Sequence, residues 1–111
     1  MTLALRKGPA FEDDVAGHFA WYWNEAGEAV AWRFKEAVDA ALVRLARQPG
    51  VGKQRKFRAA ALQGLRSFRV DPPFDKILIF YRVDDRVLDA WRVMHGARDL
   101  PRRLRELRGS A

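Results

Sequence analysis

The chain has 111 residues, 49% of them apolar and 32% charged, enough for one modest core and too apolar to stay unfolded. It contains no cysteine and only two histidines, which excludes disulfides and thiolate metal sites and gives no reason to expect a metal or a cofactor. A net charge of +7 favours an acidic partner, meaning nucleic acid, a ribosome or an acidic protein. No stretch approaches the ~20 apolar residues of a membrane span, and Met1 to Lys7 holds no signal-like hydrophobic run. The expected location is therefore the cytoplasm, with no membrane contact. The charge is unevenly spread. From Ala40 to Val70 there is no Asp or Glu, while Arg44, Arg47, Lys53, Arg55, Lys56, Arg58, Arg66 and Arg69 all fall there. The first third leans acidic.

In chain order, Thr2 to Arg6 reads as a short strand leading to Gly8-Pro9. Proline suits the first turn of a helix, where its missing N–H would have no partner. Phe11, Val15, His18, Phe19 and Tyr22 then recur at helical spacing, with Gly27 as the stop. A second helix is expected from Glu28 to Gln48. Val30, Phe34, Ala37, Val38, Ala41, Leu42 and Leu45 form its apolar stripe, and Pro49-Gly50 ends it. The short link at Gly27 makes the pair an antiparallel hairpin. After a basic stretch from Gly52 to Gln63 the pattern changes to short β-branched and aromatic runs, Leu65 to Val70, Ile77 to Arg82 and Val87 to Met94. Asp71-Pro72-Pro73 and Asp84-Asp85 separate them, predicting an antiparallel meander. Asp99 can cap a last short helix with Pro101 in its first turn, loaded with Arg102, Arg103, Arg105 and Arg108. Residues 1–111 read as a single α+β domain: an N-terminal strand and a helical hairpin on a small antiparallel sheet, with a short C-terminal helix. The sheet's other face is expected to meet solvent or a partner.

Four segments carry a resemblance. Ala31-Trp32-Arg33-Phe34 opens the second helix, and Ile79-Phe80-Tyr81-Arg82 forms a strand. Arg92-Val93-Met94-His95-Gly96-Ala97-Arg98-Asp99 closes the sheet, and Gly64-Leu65-Arg66 enters it. In this order the sequence resembles the ParE/RelE toxin superfamily of type II toxin–antitoxin systems, ParE-like by motif, from about Phe11 to Leu104. It departs from the pattern at Met94, where leucine is usual, and at Leu62-Gln63, where Leu-Arg is usual. The resemblance implies a growth inhibitor silenced by a small acidic antitoxin that wraps it, with operator DNA bound only through the antitoxin. ParE-like members are described as inhibitors of DNA gyrase, and RelE-like members as ribosome-dependent mRNA endonucleases. A third alternative is a non-toxic member that binds its antitoxin and co-regulates the operon.

RNA cleavage of the RelE type needs a proton acceptor for the 2′-hydroxyl and cations for the phosphorane. Arg66, Arg69, Arg82 and Arg98 are the candidate cations, and His95 is the one acid/base candidate, which could equally order the turn at Gly96. Leu78 stands where many RelE-like members have arginine, and no tyrosine or histidine follows His95. Tyr81, in mid-strand, reads as a core or rim residue. The sequence therefore leans away from enzymatic action. Candidates for target or antitoxin binding are Lys53, Arg55, Lys56, Arg58, Arg66, Arg69, Arg82, Arg92 and Arg98. Trp21 and Trp32 join them because they fall off the best apolar stripes, while the remaining tryptophans read as core.

Overall fold

The computed structural model describes residues 2–96. The final helix expected after Asp99, its arginines and Arg98 lie outside the described residues. Strand β1 (Ala4–Lys7) is followed by helix α1 (Pro9–Ala26) and helix α2 (Glu28–Arg47). A 3-10 turn at Pro49–Val51, the two-residue strand β2 (Lys53–Gln54) and a second 3-10 turn at Ala60–Leu62 lead to β3 (Arg66–Arg69), β4 (Ile77–Asp84) and β5 (Val87–His95).

Each helix starts and ends for identifiable reasons. Pro9 sits in the first turn of α1 with Glu12 beside it, where the helix dipole favours negative charge. Gly27 alone joins the two helices. Its φ of 96° lies in the left-handed region that glycine enters without a steric penalty. Edge-on Phe19 and Trp32, and Tyr22 against Phe34, show the helices running antiparallel. At the other end Arg44 and Arg47 occupy the last turn of α2, complementing its dipole. Phe34, Val38, Leu42 and Leu45 of the expected stripe are fully buried, and each contributes ~1.5–3 kcal/mol through burial. They meet Phe11 and Val15 of α1 and one face of the sheet, at Ile77, Ile79, Tyr81, Leu88, Ala90 and Val93.

The sheet departs from expectation in three respects. It has five strands in the order β1-β5-β4-β3-β2, because two residues of the basic stretch, Lys53 and Gln54, pair with Ser67 and Arg66. The sheet is mixed, since β1 lies parallel to β5 while the other pairs are antiparallel. A parallel neighbour needs a long crossover, and the helical hairpin supplies part of it. The face away from the helices also buries apolar side chains: Leu78, Phe80 and Met94 form a second cluster with Trp91 packed against it. The signal was the unbroken run Ile77 to Tyr81, since a strand covered on both faces does not alternate. The β4–β5 turn spends its left-handed residue at Asp85, φ 58°.

Where β1 ends, α1 takes over the margin of β5. Gly8 N–H donates to Ala90 O at 3.2 Å. One step on, Asp14 Oδ2 accepts the Val93 N–H at 2.9 Å and His18 Nε2 donates to Val93 O at 3.3 Å. Two side chains one helical turn apart thus satisfy both main-chain groups of a strand residue that lies beyond the reach of β1. Asp14 also binds Arg92 through both oxygens, at 2.7 and 3.0 Å.

Candidate functional site

The basic residues gather at the β2–β3 end of the sheet and the loop before it. What places that loop is Tyr81. The β4–β5 register slips between Phe80 and Tyr81, and Tyr81 points into the main core with 0% exposure. Its hydroxyl donates to Pro49 O at 2.6 Å and accepts the Gly52 N–H at 3.0 Å. A Cβ at Gly52 would lie 2.3 Å from that hydroxyl, so only glycine fits this approach. Burial pushes the Tyr81 pKa above its ordinary 10.0, opposed by the hydrogen bond from Gly52 and by the charge of Arg66.

The arginines surround this latch. Arg66 donates through Nη1 to Gly52 O at 2.9 Å and reaches Gly50 O at 3.5 Å, so it clamps the same loop from the next strand. Arg82 donates to Gln63 O at 3.2 Å, and Arg69 to Asp75 O at 3.0 Å. Arg55 donates through Nε to the buried Ser67 Oγ at 2.7 Å. Each bond uses one of the five N–H groups of a guanidinium. Lys53 on β2 and Lys56 and Arg58 on the loop are exposed. The structure therefore brings together Lys53, Arg55 and Arg69, while Arg66 and Arg82 turn to the loop carbonyls. Arg92 stands apart, paired with Asp14 at the opposite margin. His95 ends β5, paired in register with Ile77, and the following Gly96 N–H donates to Lys76 O at 2.7 Å.

The tryptophans form a separate surface on the hairpin. Trp21 and Trp32 are 43% and 51% exposed, and Trp32 also packs edge-on against Phe19 at 4.9 Å. Trp23, which the sequence pattern assigns to the core, is 43% exposed and lies 5.7 Å from Phe19. Its place beside Tyr22, at the rim of the α1 stripe, was the signal. Among the described residues no three His, Asp or Glu side chains come together as a metal site, and no helix is long and apolar enough to cross a membrane.

A helical hairpin on a mixed five-stranded sheet is the architecture of solved toxin–antitoxin structures. A chain of the chromosomal ParDE system from P. aeruginosa matches with a TM-score of 0.69 at 14% identity, covering 85% of this chain and 96% of that one. A chain of the RelBE2 toxin–antitoxin complex from Mycobacterium tuberculosis gives 0.59 at 21% identity, covering 86% and 99%. At these identities the likeness is one of fold. No curated protein matches the sequence. The family model for the ParE toxin of type II toxin–antitoxin systems, parDE, matches residues 5–100. The chain belongs to the ParE toxin family.

Proposed function

We propose that this chain is a growth inhibitor that acts in the cytoplasm by binding a protein target such as DNA gyrase, and that a small acidic antitoxin silences it by wrapping it. The observation that carries the reading is the position of Tyr81, the tyrosine nearest the arginines of the site. Its hydroxyl is buried between Pro49 and Gly52 and serves the fold, while Arg66, Arg69 and Arg82 brace neighbouring loops through main-chain carbonyls. A nuclease needs an acid–base group aimed at a reacting phosphate. A binder needs a rigid surface with charge and aromatic anchors, and those supports are at hand in the basic loop and the three exposed tryptophans. The antitoxin part of the reading is supported by family membership and by the two neighbouring toxin–antitoxin structures.

The test is pulse labelling of DNA and protein synthesis in bacteria after the chain is induced without an antitoxin. DNA synthesis is expected to fall first. An earlier fall in protein synthesis, with mapped mRNA cuts, would overturn the reading in favour of a ribosome-dependent endonuclease. If neither falls, the chain is an antitoxin-binding co-regulator.

A further inference from the structure

At the free margin of β3 a shallow cavity of 260 Å³ opens beside β2. Val51, Ser67, Phe68 and Leu78 line it, and its rim carries Lys53, Arg55 and Arg69. The cavity exists because β2 is so short: pairing stops at Lys53 with Ser67, and among the described residues no strand lies beside Phe68 and Arg69 on that margin. Among the described residues no carboxylate lines it. Two of the three rim cations are held in place, Arg55 by Ser67 Oγ and Arg69 by Asp75 O, each with donors to spare.

We propose that this margin is a binding site for the phosphodiester backbone of nucleic acid, read without regard to base sequence. Like charges held together without a carboxylate repel, and an anion with several oxygens relieves that repulsion. Guanidinium forks match phosphate oxygens in pairs, and pre-positioned donors lose little freedom on binding. The cavity admits a phosphate-sized group and not a helix, whose diameter with side chains is about 10 Å. The Phe68 ring packs against the main core under Arg44 and is not offered to a base, so recognition falls on the backbone alone. An acidic peptide would answer the charge. It would offer carboxylates on separate flexible side chains, whereas a nucleic-acid strand presents phosphates at regular intervals along one backbone. The inference is independent of which protein the toxin inhibits.

The experiment is fluorescence anisotropy of the full chain with a labelled 20-nucleotide single strand, the matching duplex, and a glutamate-rich peptide of equal length. Nucleic acid should bind with a Kd of roughly 10⁻⁴–10⁻⁶ M at physiological salt. If three phosphates are neutralised, raising salt from 50 to 200 mM should weaken the duplex roughly 40-fold and the single strand roughly 20-fold. Scrambling the sequence should change nothing. Lys53→Glu with Arg69→Glu should weaken binding at least about 10-fold, while Arg33→Glu on α2 leaves it intact. Should the double variant fail to fold, Lys53→Ala at an exposed position carries the same test with a smaller loss. The proposal is overturned by absence of nucleic-acid binding, by binding indifferent to Lys53, or by tighter binding of the peptide that is lost in the Lys53 variants.

Discussion

Replacing Tyr81 by phenylalanine removes one oxygen and leaves the ring in place. That oxygen serves two main-chain groups, the Pro49 carbonyl and the Gly52 N–H. Pro49 lies at the border of solvent, so its carbonyl finds water and the loss there is about 1 kcal/mol. Gly52 is buried, and its orphaned N–H costs about 1–2 kcal/mol. The expected loss is about 2–3 kcal/mol, a fall in Tm of roughly 8–12 °C for a chain of this size. Urea unfolding followed by tryptophan fluorescence measures it, since Trp23 and Trp32 report on the hairpin. The pH dependence supplies an independent check. Because the folded pKa is raised, the unfolded chain gives up the tyrosine proton first, so the stabilisation is complete below pH 10 and drains away as pH climbs past it. The gap in stability between the native chain and Tyr81→Phe should therefore narrow above pH 10. A loss under about 0.5 kcal/mol, or a gap that does not narrow, would refute the latch.

Asp14→Ala breaks the two-oxygen pair with Arg92 and strips the Val93 N–H of its acceptor. An expected loss of about 3 kcal/mol, read from urea midpoints, compares with under 1 kcal/mol for the exposed pair partner Arg6→Ala. Trp32→Ala should cost about 1 kcal/mol of stability, from its contact with Phe19, and weaken antitoxin binding at least ~30-fold in titration calorimetry. Equal affinity would remove Trp32 from the interface. His95→Ala should leave growth inhibition unchanged in a plate assay; abolished toxicity with fold and antitoxin binding retained would restore a chemical role. Gly52→Ala should destabilise by more than 2 kcal/mol, as its Cβ meets the Tyr81 hydroxyl, and its effect should not add to that of Tyr81→Phe.

The helices were legible because a 20-residue amphipathic stripe repeats its message at every turn, and α2 ends within one residue of the expected Gln48. The meander was legible from three β-branched runs punctuated by aspartate and proline. β2 was not, since Lys53-Gln54 is too short to show a period and its identity as a strand lies wholly in its pairing with Ser67 and Arg66. The parallel placement of β1 beside β5 escaped for the same reason: local pattern carries no record of a neighbour more than 80 residues away. At the candidate site the sequence announced charge and not its use. Nothing in the letters tells that Arg66 and Arg82 face loop carbonyls, or that Arg92 is matched to Asp14. Tyr81 as a buried strand residue was expected. Its partnership with Gly52 required the fold.

The single glycine between the helices has a bearing on reuse. With one residue at the bend there is no slack, and Trp23 and Trp32, on either side of it, stand on two helices stapled through Phe19. A partner that settles on this tip finds it already shaped, so the whole entropy of ordering falls on the newcomer. When that partner leaves or is destroyed, the tip has nothing to relearn. It is vacant and competent in the same instant, and the interval before the next occupant is set by diffusion and supply.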